Sequence, residues 1–194
     1  MIRWSRLGAI LAVSLPVLGT GVLSARAVQL PDGTVAFTGM PILDGASASQ
    51  NAVYFWGSWY AFTITIPENA GEPLHKVTIA QENNVAYAYF DLSRTEAYEG
   101  SRRQSGAKLP IKAVTRDPER RLITVEFEPP VLPGRKITIE LYANRNPDVG
   151  GVYLYGVTAF PAGEKPRGQF LGYGRIHIYD SYDSFGFRGR FRRW

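Results

Sequence analysis

The chain has 194 residues, with hydrophobic side chains at 45% and charged ones at 20%, which is ordinary globular composition. It has no cysteine, so disulfides, thiolate metal sites and thiol nucleophiles are excluded, and two histidines leave little for a histidine-rich metal centre. The net charge of +5 comes from 22 basic and 17 acidic residues, and its distribution matters more than its size.

Residues 1–27 read as an export signal. Arg3 and Arg6 form a positive start, Leu7 to Ser24 runs without a charge, and Ala25-Arg26-Ala27 supplies a small-x-small cleavage site, so the mature chain is expected to begin at Val28. Pro16, Gly19 and Gly21 interrupt the apolar run and argue against a retained anchor. This segment holds three of the 22 bases and no acid, leaving 19 against 17, or +2. Arg188, Arg190, Arg192 and Arg193 sit in the last residues, so the body between carries 15 against 17, or −2. The charge belongs to the two ends, which removes the basis for nucleic-acid binding.

Between the ends, period-two alternation predicts strands. In chain order they are Thr34–Thr38, Tyr60–Ile66, Lys76–Gln81, Ala86–Asp91, Ile111–Thr115, Leu122–Glu128, Lys136–Tyr142, Val152–Phe160 and Gln169–Tyr179. Asp91–Gly100 predicts a short helical turn, because Ser93 and Glu96 have capping-box spacing and Gly100 can end it. Leu122–Glu128 and Lys136–Tyr142, joined through PPVLPGR with its Pro133-Gly134 turn, read as antiparallel neighbours. The expected core includes Phe62, Ile64, Val77, Ile79, Ile123, Val125, Phe127, Ile137, Ile139 and Leu141. Nine short strands without crossover helices predict an all-β fold, an antiparallel β-sandwich of immunoglobulin-like type, with a barrel second. The domain is expected over 28–180, followed by a disordered Arg/aromatic tail over 181–194.

Gly150 to Gly174 reads GGVYLYGVTAFPAGEKPRGQFLGYG. Upstream stand VQLPDGTVAF from Val28, WGSWYAFTITI from Trp56, PENAGEPLHKVTI from Pro67 and AYEGSRR from Ala97. Together these strings resemble an exported cyanobacterial β-domain family of unknown function. The resemblance implies an extracytoplasmic β-rich domain behind a signal peptide, and it implies no catalytic residues.

Local chemistry motifs are sparse. His75 and His177 lie far apart without ligand spacing, and His177 alternates with Ile176 and Ile178, which places it on the solvent side. No G-x-S-x-G elbow occurs. Asp180 and Asp183 could offer oxygens to a hard cation, but they read more simply as a solvated turn. Asn144-Arg145-Asn146-Pro147 reads as a turn with asparagine side chains bonding the backbone. The loop from Phe160 to Phe170 could present Glu164, Lys165, Arg167 and Gln169 to a partner, or serve only as a hairpin connection. The basic run Arg102, Arg103, Lys108, Lys112, Arg116, Arg120 and Arg121 could meet an anionic glycan or lipid if it shares a face.

In the tail, Phe185, Phe187 and Phe191 alternate with Arg188, Arg190 and Arg192, with Arg193 beside them, a pattern suited to anionic lipid, glycan or an acidic envelope protein. A solubilising extension and the last strand of an outer-membrane barrel are its rivals. No cofactor, metal or catalytic residue is assigned. The expectation is an exported, non-catalytic binding or structural module of the cell envelope, in the periplasm, thylakoid lumen or at the cell surface. The alternative is an envelope hydrolase acting on glycan through carboxylates gathered by the fold.

Overall fold

A strand with alternating side chains has one dry face, and two sheets of such strands hide those faces against each other. The computed structural model describes residues 28–29, 33–82 and 86–180. The strands are β1 (Val28–Gln29), β2 (Val35–Ala36), β3 (Ile42–Ala48), β4 (Trp56–Thr65), β5 (Leu74–Gln81), β6 (Tyr89–Ser101), β7 (Gln104–Lys108), β8 (Ile111–Asp117), β9 (Leu122–Val131), β10 (Lys136–Arg145), β11 (Gly151–Pro161) and β12 (Gln169–Ile178). A single 3-10 turn is described, at Glu68–Ala70. The expected signal, 1–27, and the expected tail, 181–194, lie outside the described residues. Among the described residues, no helix is long and apolar enough to cross a membrane.

One five-stranded sheet runs β3-β4-β10-β6-β7 and the other β12-β11-β5-β9-β8, with all pairings antiparallel. Taking β3, β4, β5, β6, β10, β11 and β12 as strands A to G, the sheets read A-B-E-D and G-F-C. That is the constant-type immunoglobulin order. Strands β7, β8 and β9 form an insertion between D and E, where β7 widens one sheet beyond β6 and the β8–β9 hairpin widens the other beyond β5.

The core residues expected from alternation are all buried, none more than 4% exposed. Ile139 stands opposite Phe62 across β10 and β4, while Val77 and Ile79 stand opposite Val125 and Ile123 across β5 and β9. Tyr60, Phe62, Phe90 and Tyr155 meet edge-to-face with centroids 5.2–6.4 Å apart, the geometry that ring quadrupoles favour.

Two expectations are corrected. Asp91–Gly100 is not a helical turn but the body of β6, which pairs with β10 from Tyr89 to Glu99. The Asp91 carboxylate instead accepts from the Ser93 amide and hydroxyl. The sheet pairs this segment at both ends, Tyr89–Asp91 and Glu96–Glu99, across a register irregularity, and buries Ala97 and Tyr98, which outweighs a local capping preference. The second correction concerns β9 and β10, which are not neighbours. The chain crosses from one sheet to the other after Val131, and the crossing is tied to the end of β4 by Gly134 N donating to Ile66 O and Ile66 N donating to Arg135 O. Gly134 turns there at φ 80°, a conformation glycine adopts without strain. Of the predicted strand Ala86–Asp91, only Tyr89 onward is strand.

Buried tyrosines give the fold an alkaline limit. Burial pushes the Tyr60 and Tyr155 hydroxyls well above the ordinary tyrosine value. Tyr98 is pushed up to about 12, first by burial and then by the neighbouring Glu140 carboxylate. The folded state therefore holds these protons more tightly than the unfolded chain, whose tyrosines titrate near roughly 10. The stability they contribute is intact below that value and is lost as the pH rises through about 12. Urea midpoints measured at rising pH should fall steeply across this window, together with the onset of tyrosinate absorbance. A flat profile would contradict the burial of these hydroxyls.

Candidate functional site

The last rung of the first sheet carries an unusual row. Arg145 on β10 is in register with Trp56 on β4 and with Tyr89 on β6. A register irregularity between Ala143 and Arg145 re-aims the arginine at this point. Trp56 is 72% exposed, Tyr89 56% and Tyr54 54%, so these rings are not core. The guanidinium carbon lies 5.9 Å from the Trp56 ring centroid, 5.1 Å from Tyr89 and 6.0 Å from Tyr54, within cation–π reach of all three. Among the described residues, the ion pairs are made by other bases, and Arg145 has no carboxylate partner.

The loop between β3 and β4, which presents Tyr54, is held from several sides. Asn146, fully buried, donates through its side-chain amide to Gln50 O and Ala52 O at 2.9 Å each, and accepts from the Tyr60 hydroxyl at 2.9 Å. The sequence expected asparagine side chains to bond a local turn, but Asn146 bonds a loop more than ninety residues away. Backbone bonds add Val53 N to Tyr179 O, Tyr179 N to Asn51 O, Tyr54 N to Pro147 O and Asn146 N to Phe55 O. Tyr54 itself sits at φ 56°, a left-handed conformation that costs a tyrosine on the order of 1 kcal/mol or more. A strained residue held by surrounding bonds, with its ring in solvent, is a preorganised feature.

The other candidates fall elsewhere. Glu164, Lys165 and Arg167 are exposed and Gln169 is half-buried, on the connection between β11 and β12. That connection is fastened to β2 by Val35 N donating to Lys165 O and Arg167 N donating to Val35 O. It lies at the far end of β11, roughly 30 Å from the Arg145 rung at 3.3 Å per residue. The basic run does not form one face. Its strands β7 and β8 belong to different sheets, and Arg102, Lys108, Lys112 and Arg120 pair with Glu140, Glu96, Glu128 and Asp117. Arg121 stacks over Tyr87.

His177 is exposed and His75 half-buried. Among the described residues, no three potential ligands gather at a metal-holding distance. Asp180 accepts from Gly150 N, and Asp183 lies outside the described residues, as do Arg188, Arg190, Arg192 and Arg193. The described chain ends at Asp180, one residue beyond Tyr179, which bonds the loop presenting Tyr54.

The fold does bring two carboxylates together. Glu96 and Glu140 face each other across β6 and β10, at a groove of about 350 Å³ that Tyr98, Arg102 and Lys108 also line. Glu96 lies 3.0 Å from Lys108, and Glu140 lies 3.3 Å from Arg102 and accepts from Tyr98 at 3.1 Å. Each carboxylate is neutralised by a basic partner, and Glu140, 13% exposed, is the more enclosed of the two, with Glu96 43% exposed. Acid–base hydrolysis needs two carboxylates in opposed environments. A separate cavity of about 20 Å³ lies between the sheets against Gln81, Arg121 and Tyr155, with room for one water.

Fold and rung together define an immunoglobulin-like β-sandwich with a preorganised aromatic and arginine surface at one end. The chain belongs to the family described as protein of unknown function (DUF2808), whose model matches residues 34–178. No curated protein matches it. Among solved structures, the major pilin subunit of Bacillus cereus is similar at 12% identity over 72% of this chain and 40% of that one, with a TM-score of 0.47. A C-terminal fragment of the major pilin of Streptococcus agalactiae gives 8% identity, 72% and 56% coverage and a TM-score of 0.45. The collagen-binding domain of a Staphylococcus aureus adhesin gives 12% identity, 63% and 88% coverage and a TM-score of 0.36. The chain thus spans about half or less of the length of several of the structures it resembles. The likeness is one of strand arrangement.

Proposed function

We propose that the protein is an exported, non-catalytic recognition module of a cyanobacterial cell envelope, and that the rung formed by Trp56, Arg145 and Tyr89, with Tyr54 beside it, is its binding surface. Residues 1–27 act as the leader, 28–180 as the recognition domain and 181–194 as a basic aromatic extension. The observation that carries this reading is the fan of exposed rings around an arginine with no carboxylate partner among the described residues, with the loop that presents Tyr54 fastened by buried Asn146. Clustered exposed aromatic surface is disfavoured in water and is typical of surfaces that become covered by a partner. Rigid presentation lowers the ordering cost of binding. The exposed side chains Glu164, Lys165 and Arg167 at the opposite end form a second, weaker candidate surface.

Co-sedimentation of the purified chain with the envelope fraction of its host tests this. Trp56→Ala combined with Tyr89→Ala should weaken retention about tenfold or more, the loss expected when aromatic anchors are truncated. The melting temperature should hardly move, because both rings are already in solvent. Undiminished retention, or no retention of the unaltered chain, would contradict the proposal.

A further inference from the structure

We infer that the ligand of this surface is an acidic oligosaccharide, laid across the last rung of the sheet with sugar faces on Trp56 and Tyr89 and a uronate carboxylate at Arg145. The inference rests on the rung being the binding surface.

Spacing gives the length. Trp56, Arg145 and Tyr89 occupy three adjacent strands in register, so the two aromatic positions are two strand spacings apart, roughly 10 Å, with the cation midway. A disaccharide is about that long. The exposed C–H face of a pyranose is apolar and weakly positive, and it suits the negative face of an indole or phenol ring. Sites that use stacked rings for contact area and a few polar groups for orientation are the common form of small-ligand recognition.

Charge gives the class. Arg145 presents a planar fork that matches a carboxylate with two parallel bonds. Its carbon lies 5.1–6.0 Å from the surrounding ring centroids, a loose arrangement that leaves its donors free for a ligand. Acids at the same end argue against a flat anionic bilayer as the occupant. Asp148 and Asp180 are exposed there and would face lipid phosphates, whereas a slender chain along the rung meets Arg145 alone.

Calorimetric titration of the full chain with digalacturonate, cellobiose and galacturonate monomer tests this. Digalacturonate should bind, with the monomer and the neutral cellobiose each at least tenfold weaker. Affinity for digalacturonate should fall with added salt. Arg145→Gln should abolish the preference for the acidic sugar, and Trp56→Ala should weaken both disaccharides. Unchanged melting temperatures in both variants keep the comparison fair, since neither side chain supports the core. Equal binding of cellobiose and digalacturonate would overturn the acidic class. Binding to neither, while the Trp56 and Tyr89 variant still loses its hold on the envelope, would overturn the sugar inference and leave the recognition surface standing. Loss of self-association in Trp56→Ala, without any sugar binding, would assign the surface to a second copy of the chain instead.

Discussion

Ile139→Ala is expected to destabilise the protein by about 2–5 kcal/mol, the cost of removing buried methyl groups and leaving a cavity. Ile139 is fully buried at the middle of β10, between Phe62 on β4 and Ala97 on β6. The ladder to β4 is unbroken on both sides of Ile139 and the ladder to β6 holds from Glu96 to Glu99, so the backbone has little freedom to collapse into the space. The sheet opposite closes the other side with residues such as Val77, Val125 and Val157, each fully buried. Urea unfolding should show a lower midpoint with an unchanged slope, the mark of lost stability without a change in the surface exposed. An unchanged midpoint would mean that the apolar phase of β10 does not face the core.

Asn146→Ala is expected to couple stability to binding. The substitution strips the Tyr60 hydroxyl of its acceptor and the Gln50 and Ala52 carbonyls of their donor, around a fully buried site. Buried polar groups left without partners cost about 1–3 kcal/mol each, and partial access of water to the loop carbonyls brings the expected total to on the order of 3 kcal/mol. The same change releases the loop that presents Tyr54 and precedes Trp56. Envelope retention should therefore fall in a variant that removes no exposed ring. Asn146→Asp is the sharper comparison, because it keeps an acceptor for Tyr60 but turns an oxygen toward two carbonyls, and it should also destabilise. A melting temperature and a retention both equal to the unaltered chain would contradict the role given to Asn146.

The sequence exposed the parts of the fold that depend on burial. Ile123, Val125 and Phe127, or Ile137, Ile139 and Leu141, alternate because one face of each strand is dry, so their phase can be read directly. Strand β3, Ile42–Ala48, and strand β7, Gln104–Lys108, were not foreseen. Both are edge strands bonded to one neighbour; β7 is polar or small and exposed throughout, and in β3 an Asp-Gly pair after Ile42 and Leu43 interrupts the apolar alternation although Leu43, Ala46 and Ala48 pack on the core. Backbone pairing alone, as in β7, leaves no side-chain pattern to read. The pairing of β9 with β10 failed for a related reason: a Pro-Gly loop marks a reversal of the chain, but it does not say whether the reversal stays within a sheet.

The candidate site was least legible. Trp56, Tyr89 and Arg145 are far apart in sequence and form no motif. The nearest signal is the run Tyr54-Phe55-Trp56, three consecutive aromatics that no single amphipathic strand could bury. Arg145 was seen only as part of a turn, although it closes β10.

Mapping amide and indole chemical shifts of the chain during titration with solubilised envelope glycan tests the recognition surface most directly. The changes should concentrate at Tyr54, Trp56, Tyr89 and Arg145, with the Trp56 indole among the largest and the Trp59 indole, three residues further along β4 and packed against Tyr142, much smaller. Changes gathered instead around Glu164, Lys165 and Arg167 at the opposite end, with Trp56 unmoved, would contradict the assignment.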